Sequence, residues 1–147
     1  MANVQSILDE KGSKVISIKA EDSLAHALLQ LTEHKIGALL VVNEEGSIKG
    51  ILSERDIIRH FSHKLEHLNT ASIPVREVMT TAVTDVNPNQ SLEDCLKLMT
   101  AGHFRHLPVV DGENIVGMIS IGDVVKLSLH ERDSQIGDLE QYITSPY

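Results

Sequence analysis

The sequence predicts a mixed α+β (α/β) fold in which one β-α-β-β-α plan is used twice. The chain aligns with itself: residues 14–42 match residues 82–110 at eight of 29 positions, and residues 48–59 match residues 115–126 at four more. Apolar residues recur at helical spacing in both copies, and short aliphatic runs follow them. Because each copy is small for a stable domain, we expect the two copies to pack against one another. The expected architecture is a pseudo-two-fold pair in which each copy is a small sheet with helices on one side.

Each copy begins with a short strand and a helix. Strands are predicted at residues 15–18 and 83–86, and Ser23 and Ser91 stand where helix N-caps belong. Asp94 follows Ser91 by three residues and suits a capping box. The buried helix stripes are Leu24, Ala27, Leu28 and Leu31 in the first copy and Leu92, Cys95, Leu96 and Met99 in the second.

Two strands and a second helix complete each copy. Aliphatic runs at 38–42 and 106–110 predict buried strands, and turns that contain Gly with Asn or Asp lead to further strands at 48–52 and 115–119. The second helix is then predicted to begin at Asp56 in the first copy and at Asp123 in the second.

The predicted boundaries follow these copies. The first repeat with its N-terminal segment takes residues 1–61, a polar linker takes 62–74, the second repeat takes 75–130, and a partly helical tail takes 131–147. In the tail, Ile136, Leu139 and Ile143 fall on one side of a helix. We therefore expect the tail to dock on the body of the protein or on a partner subunit.

Composition limits the class of partner. The chain has 13 basic and 21 acidic residues, which give a net charge of -8. Phosphate backbones are repelled by such a surface on average, so nucleic acid is not an expected partner. Hydrophobic residues make up 41% of the chain and aromatic residues only 3%, so the core must be aliphatic.

No segment predicts a membrane or an export signal. The longest clearly apolar runs, such as 38–42, are far shorter than the ~20 residues that span a bilayer, and the N-terminus lacks the blocks of a signal peptide. The single cysteine, Cys95, cannot form an internal disulfide and aligns with the buried Ala27, so we expect a core thiol. The cytoplasm is the expected location, with no membrane partner.

The segments EVMT, AVTDVNP, RHLPVVD and GMISIGDVV in the second copy resemble the cystathionine-β-synthase (CBS) domain. Two copies in tandem resemble a CBS pair, or Bateman module, over nearly the whole chain. More narrowly, SILDEKG, KIGALLVV, SERD and SIGDVVK resemble small stand-alone CBS-pair proteins of bacteria and plant organelles. The resemblance implies two modules paired into a disc-shaped homodimer.

The resemblance also implies a function. Family members hold adenosine compounds in clefts between the two repeats, so we expect a regulatory sensor that binds AMP, ADP, ATP or NADH. S-adenosylmethionine is a further family ligand, and AMP is the one that we favour. No cofactor is required, and any regulated activity is expected from an unidentified partner protein in trans. The alternatives are an interaction scaffold with degenerate pockets and, more remotely, a weak nucleotide hydrolase or metal-dependent enzyme.

Asp56 and Asp123 are the predicted ribose ligands. A carboxylate at the start of a helix can accept the two hydrogen bonds that a ribose diol donates. Ser53 and Ser120, three residues earlier, are predicted to meet a phosphate together with the backbone N–H groups of the helix. The competing interpretation is ordinary helix capping, and one residue can fill both roles.

Arg105 and His106 are predicted phosphate contacts, because related modules place such residues at these positions. The aligned residues of the first repeat are Gly37 and Ala38, which carry no charge, so we expect unequal sites. Arg55 and Arg59 follow the first aspartate motif and can compensate in part. Alternatively, these two arginines belong to a solvated helix face.

The segments just before the first helices are predicted to line the adenine. The candidate residues are Ile16, Ile18, Val83, Thr84 and Val86. Thr84 can bond the purine edge with its backbone or with its hydroxyl.

Metal and enzyme chemistry find little support in the sequence. His60, His63 and His67 have helical spacing, but no cysteine or obvious carboxylate completes a zinc set, so we expect solvated histidines and no metal. His26 and His34 are also expected to be exposed. GxSxG, P-loop, GxGxxG and HExxH motifs are all missing, so we expect no catalytic activity.

Overall fold

The computed structural model describes residues 1–62 and 72–144, with side chains as far as residue 137. The elements are α1 (Val4–Lys11), β1 (Ser17–Ile18), α2 (Leu24–His34), β2 (Ala38–Val42), β3 (Ile48–Ser53), α3 (Glu54–Phe61), a 3-10 helix (Val75–Glu77), α4 (Leu92–Gly102), β4 (His106–Asp111), β5 (Asn114–Ser120) and α5 (Ile121–Thr144). This mixture of helices and small sheets is the predicted fold class.

Contacts divide the chain into two compact units. One unit is Val15–Thr84, and the other joins Met1–Lys14 to Asp85–Tyr147. We name them the inner and the outer unit by their order in the sequence, since the first lies between the two parts of the second. The sequence repeats and these units therefore divide the chain at different places. Its position in the sequence places the N-terminal segment with the first repeat, whereas packing places it with most of the second.

The inner unit is built on a three-stranded sheet. Strand β1 pairs in parallel with β2, and β2 pairs antiparallel with β3. All five residues of β2 are buried, as their aliphatic run predicts. Helix α2 begins at the predicted cap, where Ser23 Oγ accepts from His26 N at 3.1 Å, and Lys35 caps its C-terminal end with a left-handed φ of 53°.

The outer unit has an antiparallel pair, β4 and β5, with helices α1, α4 and α5. Helix α4 begins at the predicted cap: Ser91 Oγ accepts from Asp94 N at 3.0 Å. Asp94 thus contributes its backbone, and the described contacts contain no return bond from its carboxylate. Cys95 is fully buried, as predicted, and burial together with the charge of Asp94 raises the pKa of its thiol to about 11.

The predicted leading strands are too long. In the first repeat only Ser17 and Ile18 form a strand, and in the second the strand at 83–86 shrinks to one bridge between Val86 and Val109. Val86 uses both backbone groups there, its N–H to Pro108 O at 3.0 Å and its carbonyl to Val110 N at 2.8 Å. A turn on each side, Val83 N to Thr81 O and Gln90 N to Asn87 O, stops the ladder.

Both units are completed by a segment that the internal alignment missed. Residues 3–8 pack in the outer unit as residues 74–79 pack in the inner unit. The matching backbone bonds are Val4 N to Gln90 O (2.9 Å), Gln5 N to Pro88 O (2.8 Å), Val75 N to Asp22 O (2.8 Å) and Arg76 N to Ala20 O (2.9 Å). The shared pattern is NVQSIL against PVREVM, whose apolar spacing was the available signal.

Helix α5 continues through the predicted start of the tail at residue 131 without a break. Ile136 is exposed, while the side chains of Leu139 and Ile143 lie outside the described residues. Docking of this helix on the body or on a partner subunit stays a prediction.

Candidate functional site

Asp56 is the third residue of α3, not its first. Ser53 is the N-cap, and the two side chains form a capping box: Asp56 N donates to Ser53 Oγ at 3.3 Å, and Ser53 N donates to Asp56 Oδ2 at 2.9 Å. Ser53 and Asp56 therefore cap helix α3, a role that is compatible with ligand binding, and their ligand role stays a prediction.

Other groups occupy the rest of the Asp56 carboxylate. Thr80 Oγ1 donates to Oδ1 at 2.8 Å, and Arg59 Nη1 lies 3.6 Å from the same oxygen. Asp56 is only 7% exposed. A ribose diol would have to displace contacts that the fold already makes.

Asp123 has the same capping arrangement in the second repeat. Its backbone N–H donates to Ser120 Oγ at 3.2 Å, and Ser120 N donates to Asp123 Oδ2 at 2.8 Å. The predicted serine and aspartate are thus brought together in both repeats. Their Ser-x-x-Asp spacing is itself a capping-box signal.

Lys11 is the partner of Asp123 that sequence reasoning missed. Its Nζ donates to Asp123 Oδ2 at 2.8 Å and to Met118 O at 3.0 Å. Burial alone would raise the pKa of Asp123, but hydrogen bonds from Lys11 and Ser120 and the charge of Lys11 hold it below its ordinary value of 3.8. Lys11 lies more than a hundred residues away in sequence, so spacing gave no signal.

Arg105 and His106 lie beside Ser120. His106 is the register partner of Ser120 across β4 and β5, and the carbonyl of Arg105 accepts from Ile121 N at 2.8 Å. In the inner unit Ala38 pairs with Ser53, and Gly37 O accepts from Glu54 N at 3.0 Å. The structure therefore places Arg105 and His106 at backbone positions equivalent to those of Gly37 and Ala38.

Arg55 and Arg59 are exposed on α3. The side chain of Arg59 is 71% exposed, and its described ion pair is the one with Asp56. The predicted compensation of the first site by these arginines stays a prediction.

The predicted adenine residues have different surroundings. Ile18 and Val86 turn their side chains into the cores of the inner and the outer unit. Ile16, Val83 and Thr84 are half-buried and are the members of the set with accessible surface. Ile16 also gives its carbonyl to Leu40 N at 3.3 Å.

The histidine prediction is tested only in part. His60 stacks edge-on with Phe61, with ring centroids 5.2 Å apart, and His63 and His67 lie outside the described residues. His26 and His34 are exposed, as predicted. Within the described ranges no group of three or more His, Cys, Asp or Glu side chains is placed to hold a metal ion.

A groove of about 720 Å³ lies in the inner unit, lined by residues that include Leu28, Lys35, Ile36, Glu54 and Ile58. None of the predicted ligand residues lines it. Among the described residues no helix has the length and apolarity needed to cross a bilayer.

Comparison with known proteins identifies the repeats. The family model described as CBS domain matches residues 7–63 and 75–130. The CBS domain-containing protein YhcV of Bacillus subtilis is 36% identical over 121 residues, which are 82% of this chain and 84% of that protein.

Solved structures agree with this match. The CBS-domain containing protein ATU1752 of Agrobacterium tumefaciens is 34% identical with a TM-score of 0.82, over 86% of this chain and 99% of that one. The crystal structure of CBSX2 in complex with AMP is 28% identical with a TM-score of 0.66, over 80% of this chain and 90% of that one. The chain therefore belongs to the CBS-domain family, of which it carries two domains in tandem.

Proposed function

We propose that the chain is a non-catalytic regulatory module that binds an adenosine-containing ligand and modulates a partner protein in trans. AMP is the favoured ligand among AMP, ADP, ATP and NADH, and it is the ligand of the related CBSX2 structure. A ligand shifts a protein only by its different affinity for two states, so binding must be coupled to a contact of this chain with its partner.

The observation that carries the proposal is the group of side chains at the start of α5. Asp123 offers a carboxylate to a ribose diol, and its side chain is 25% exposed. Ser120 offers a hydroxyl beside the first backbone N–H groups of the helix, which favour an anion. Arg105 and His106 add donors one strand away, across the register pair of His106 and Ser120.

The first repeat supports a weaker site or none. Asp56 is almost fully buried and engaged, and Gly37 and Ala38 bring no charge to the equivalent strand end. This observation favours a second candidate function, an interaction scaffold with degenerate pockets, for the first repeat. We propose that Asp123, Ser120, Arg105 and His106 form the better site.

Calorimetric titration with AMP, ADP, ATP, NADH and S-adenosylmethionine tests this proposal. We expect one compound to bind and Asp123→Asn to weaken it at least about tenfold, because a hydrogen bond to a charged group contributes roughly 1.5–3 kcal/mol. Asparagine can still accept the backbone N–H of Ser120, so the helix cap is preserved. Asp56→Asn is the matched control and is expected to change binding little.

Three results would count against the proposal. Loss of binding in Asp56→Asn alone would move the site to the first repeat. If no compound binds to folded protein that is free of co-purified nucleotide, the interaction scaffold is the remaining candidate function. Conversion of the nucleotide to products during the titration would mean that the chain is an enzyme.

The partner and the assembly are also proposals. Exposed apolar side chains on the described helices, among them Ile58, Val125 and Leu129, support a homodimer or a docking face for the regulated protein. We propose the cytoplasm as the location, which suits a single buried thiol.

A further inference from the structure

Only the side chain of Lys11, and not its backbone, contacts Asp123 in the described structure. Lys11 is the last residue of α1, and its ammonium meets the carboxylate of Asp123 and the carbonyl of Met118. The lysine side chain is 40% exposed, so its four-carbon stem can turn toward solvent while the helix stays in place.

The inner unit fills the equivalent position in another way. Thr80 exchanges both backbone bonds with Ile51 at 2.9 Å, and its hydroxyl donates to Asp56. Ile51 and Met118 are equivalent in the two repeats, so Thr80 and the ammonium of Lys11 bond to the same two kinds of group. The Thr80 hydroxyl sits on a backbone that is held by the bridge to Ile51, whereas the Lys11 ammonium is held in place only by its own contacts at the end of a long side chain.

We propose that Lys11 makes the outer-unit site select ligands that carry an anionic group. When a ribose diol binds the Asp123 carboxylate, the Lys11 ammonium leaves Asp123 and pairs with the anionic group of the ligand. This inference rests on the proposed function. It adds Lys11, a residue of helix α1, to the ligand contacts, and the ligand property that Lys11 selects is negative charge.

Electrostatics gives the direction of the selection. Lys11 and Asp123 neutralise one another, so a ribose that takes over the carboxylate leaves an ammonium without its counter-ion. A phosphorylated nucleoside supplies a replacement anion next to Ser120, and a neutral nucleoside does not. Lys11 should therefore oppose adenosine and favour AMP.

Calorimetry with AMP and adenosine on the full chain tests this selection. In the wild type we expect AMP to bind more tightly than adenosine. In Lys11→Met the ratio of the adenosine Kd to the AMP Kd should fall at least about tenfold, because one charge-assisted contact is exchanged for none. Lys11→Arg should retain most of the ratio, and Lys11→Gln should repeat the loss with a polar side chain.

The matched control is Lys97→Met. Lys97 makes an exposed ion pair with Glu93 at 3.3 Å on α4, so its removal changes the net charge equally without touching Asp123. Its ratio should equal that of the wild type. If this ratio fell equally in Lys97→Met, the effect would be due to net charge alone, and the inference would be overturned.

The two proposals fail differently. If the wild type binds AMP but Lys11→Met changes both dissociation constants by one factor, the role of Lys11 is wrong and the proposed function stands. If the wild type binds neither AMP nor any other adenosine compound, the proposed function is wrong and the role of Lys11 with it.

Discussion

At the scale of single residues, two equivalent aspartates have acquired different surroundings. Asp56 is buried and bonded to Thr80, a residue of its own unit that is fixed in a backbone bridge. Asp123 is partly exposed and bonded to a lysine. The repeat in the sequence predicted the serine–aspartate pairs, because capping is local. It could not predict Lys11, because that contact depends on which segment packs in which unit.

The low pKa of Asp123 predicts a dependence of stability on pH. A carboxyl group whose pKa is lowered by folding stabilises the protein above its unfolded pKa, and this contribution is lost as the pH falls through the folded value. Lys11→Met should raise the pKa of Asp123 and lower the free energy of unfolding near neutral pH by about 0.5 kcal/mol, since solvent reaches both side chains and screens the pair.

Urea denaturation at neutral and acid pH measures this difference. The gap between wild type and Lys11→Met should be widest near neutral pH and should close below the ordinary carboxyl pKa of 3.8. A gap that stays constant down to the lowest pH at which the protein folds would show that Lys11 acts without Asp123.

At the scale of elements, one glycine in each unit makes room for a docked segment. A Cβ on Gly117 would lie 2.5 Å from Leu8 Cδ2, the tip of a flexible side chain. A Cβ on Gly50 would lie 2.8 Å from Met79 Sδ and 2.8 Å from the backbone oxygen of Thr80. The backbone contact cannot turn away as a leucine tip can.

Alanine at these glycines should therefore destabilise the protein unequally. Gly50→Ala should cost about 1–3 kcal/mol, the usual range for overpacking, and Gly117→Ala should cost less. Gly137→Ala is the control, because nothing lies within 4 Å of its Cβ position and alanine favours helix α5. Urea denaturation measures both losses of stability. Equal losses at Gly50 and Gly117 would contradict the inference that the backbone oxygen of Thr80 makes the space at Gly50 the less adaptable one.

Periodicity predicted the helices and strands of the repeats because their apolar residues fall on one face or in one run. Helices α2 and α4 and strands β2 to β5 lie where the pattern placed them. The docking of α1 and of the 3-10 helix was not predicted, because each segment is short and its partners are distant in sequence. Periodicity identifies a buried face but not the surface that buries it.

At the scale of the whole molecule, each segment packs away from the repeat that its position suggests. Val4 precedes the first repeat and is buried in the core of the outer unit. Val75 begins the second repeat and is buried in the core of the inner unit. Packing, and not the order of the sequence, therefore determines which unit a core substitution weakens.

Hydrogen exchange should show that Val4 stabilises the outer unit and that Val75 stabilises the inner unit. Val4→Ala and Val75→Ala each remove methyl groups from a fully buried side chain and should cost about 1–3 kcal/mol. Exchange should quicken mainly in β4, β5 and α4 for Val4→Ala, and mainly in α2, β2 and β3 for Val75→Ala. Val125→Ala, at a 40% exposed site, is the control.

The result that would contradict the assignment is specific. If Val75→Ala loosened the outer unit as much as the inner one, Val75 would belong energetically to the repeat that it begins.

The membership of Met1–Lys14 in the outer unit has a consequence for synthesis on the ribosome. Val4, Ile7 and Leu8 emerge before the inner unit, but the core that buries them extends to Leu127. The inner unit, by contrast, has all its residues once Thr84 has emerged. Because domains fold as units while the chain grows, the inner unit can fold first. Helix α1 is thus made before the inner unit but can pack in its own unit only after the inner unit is complete.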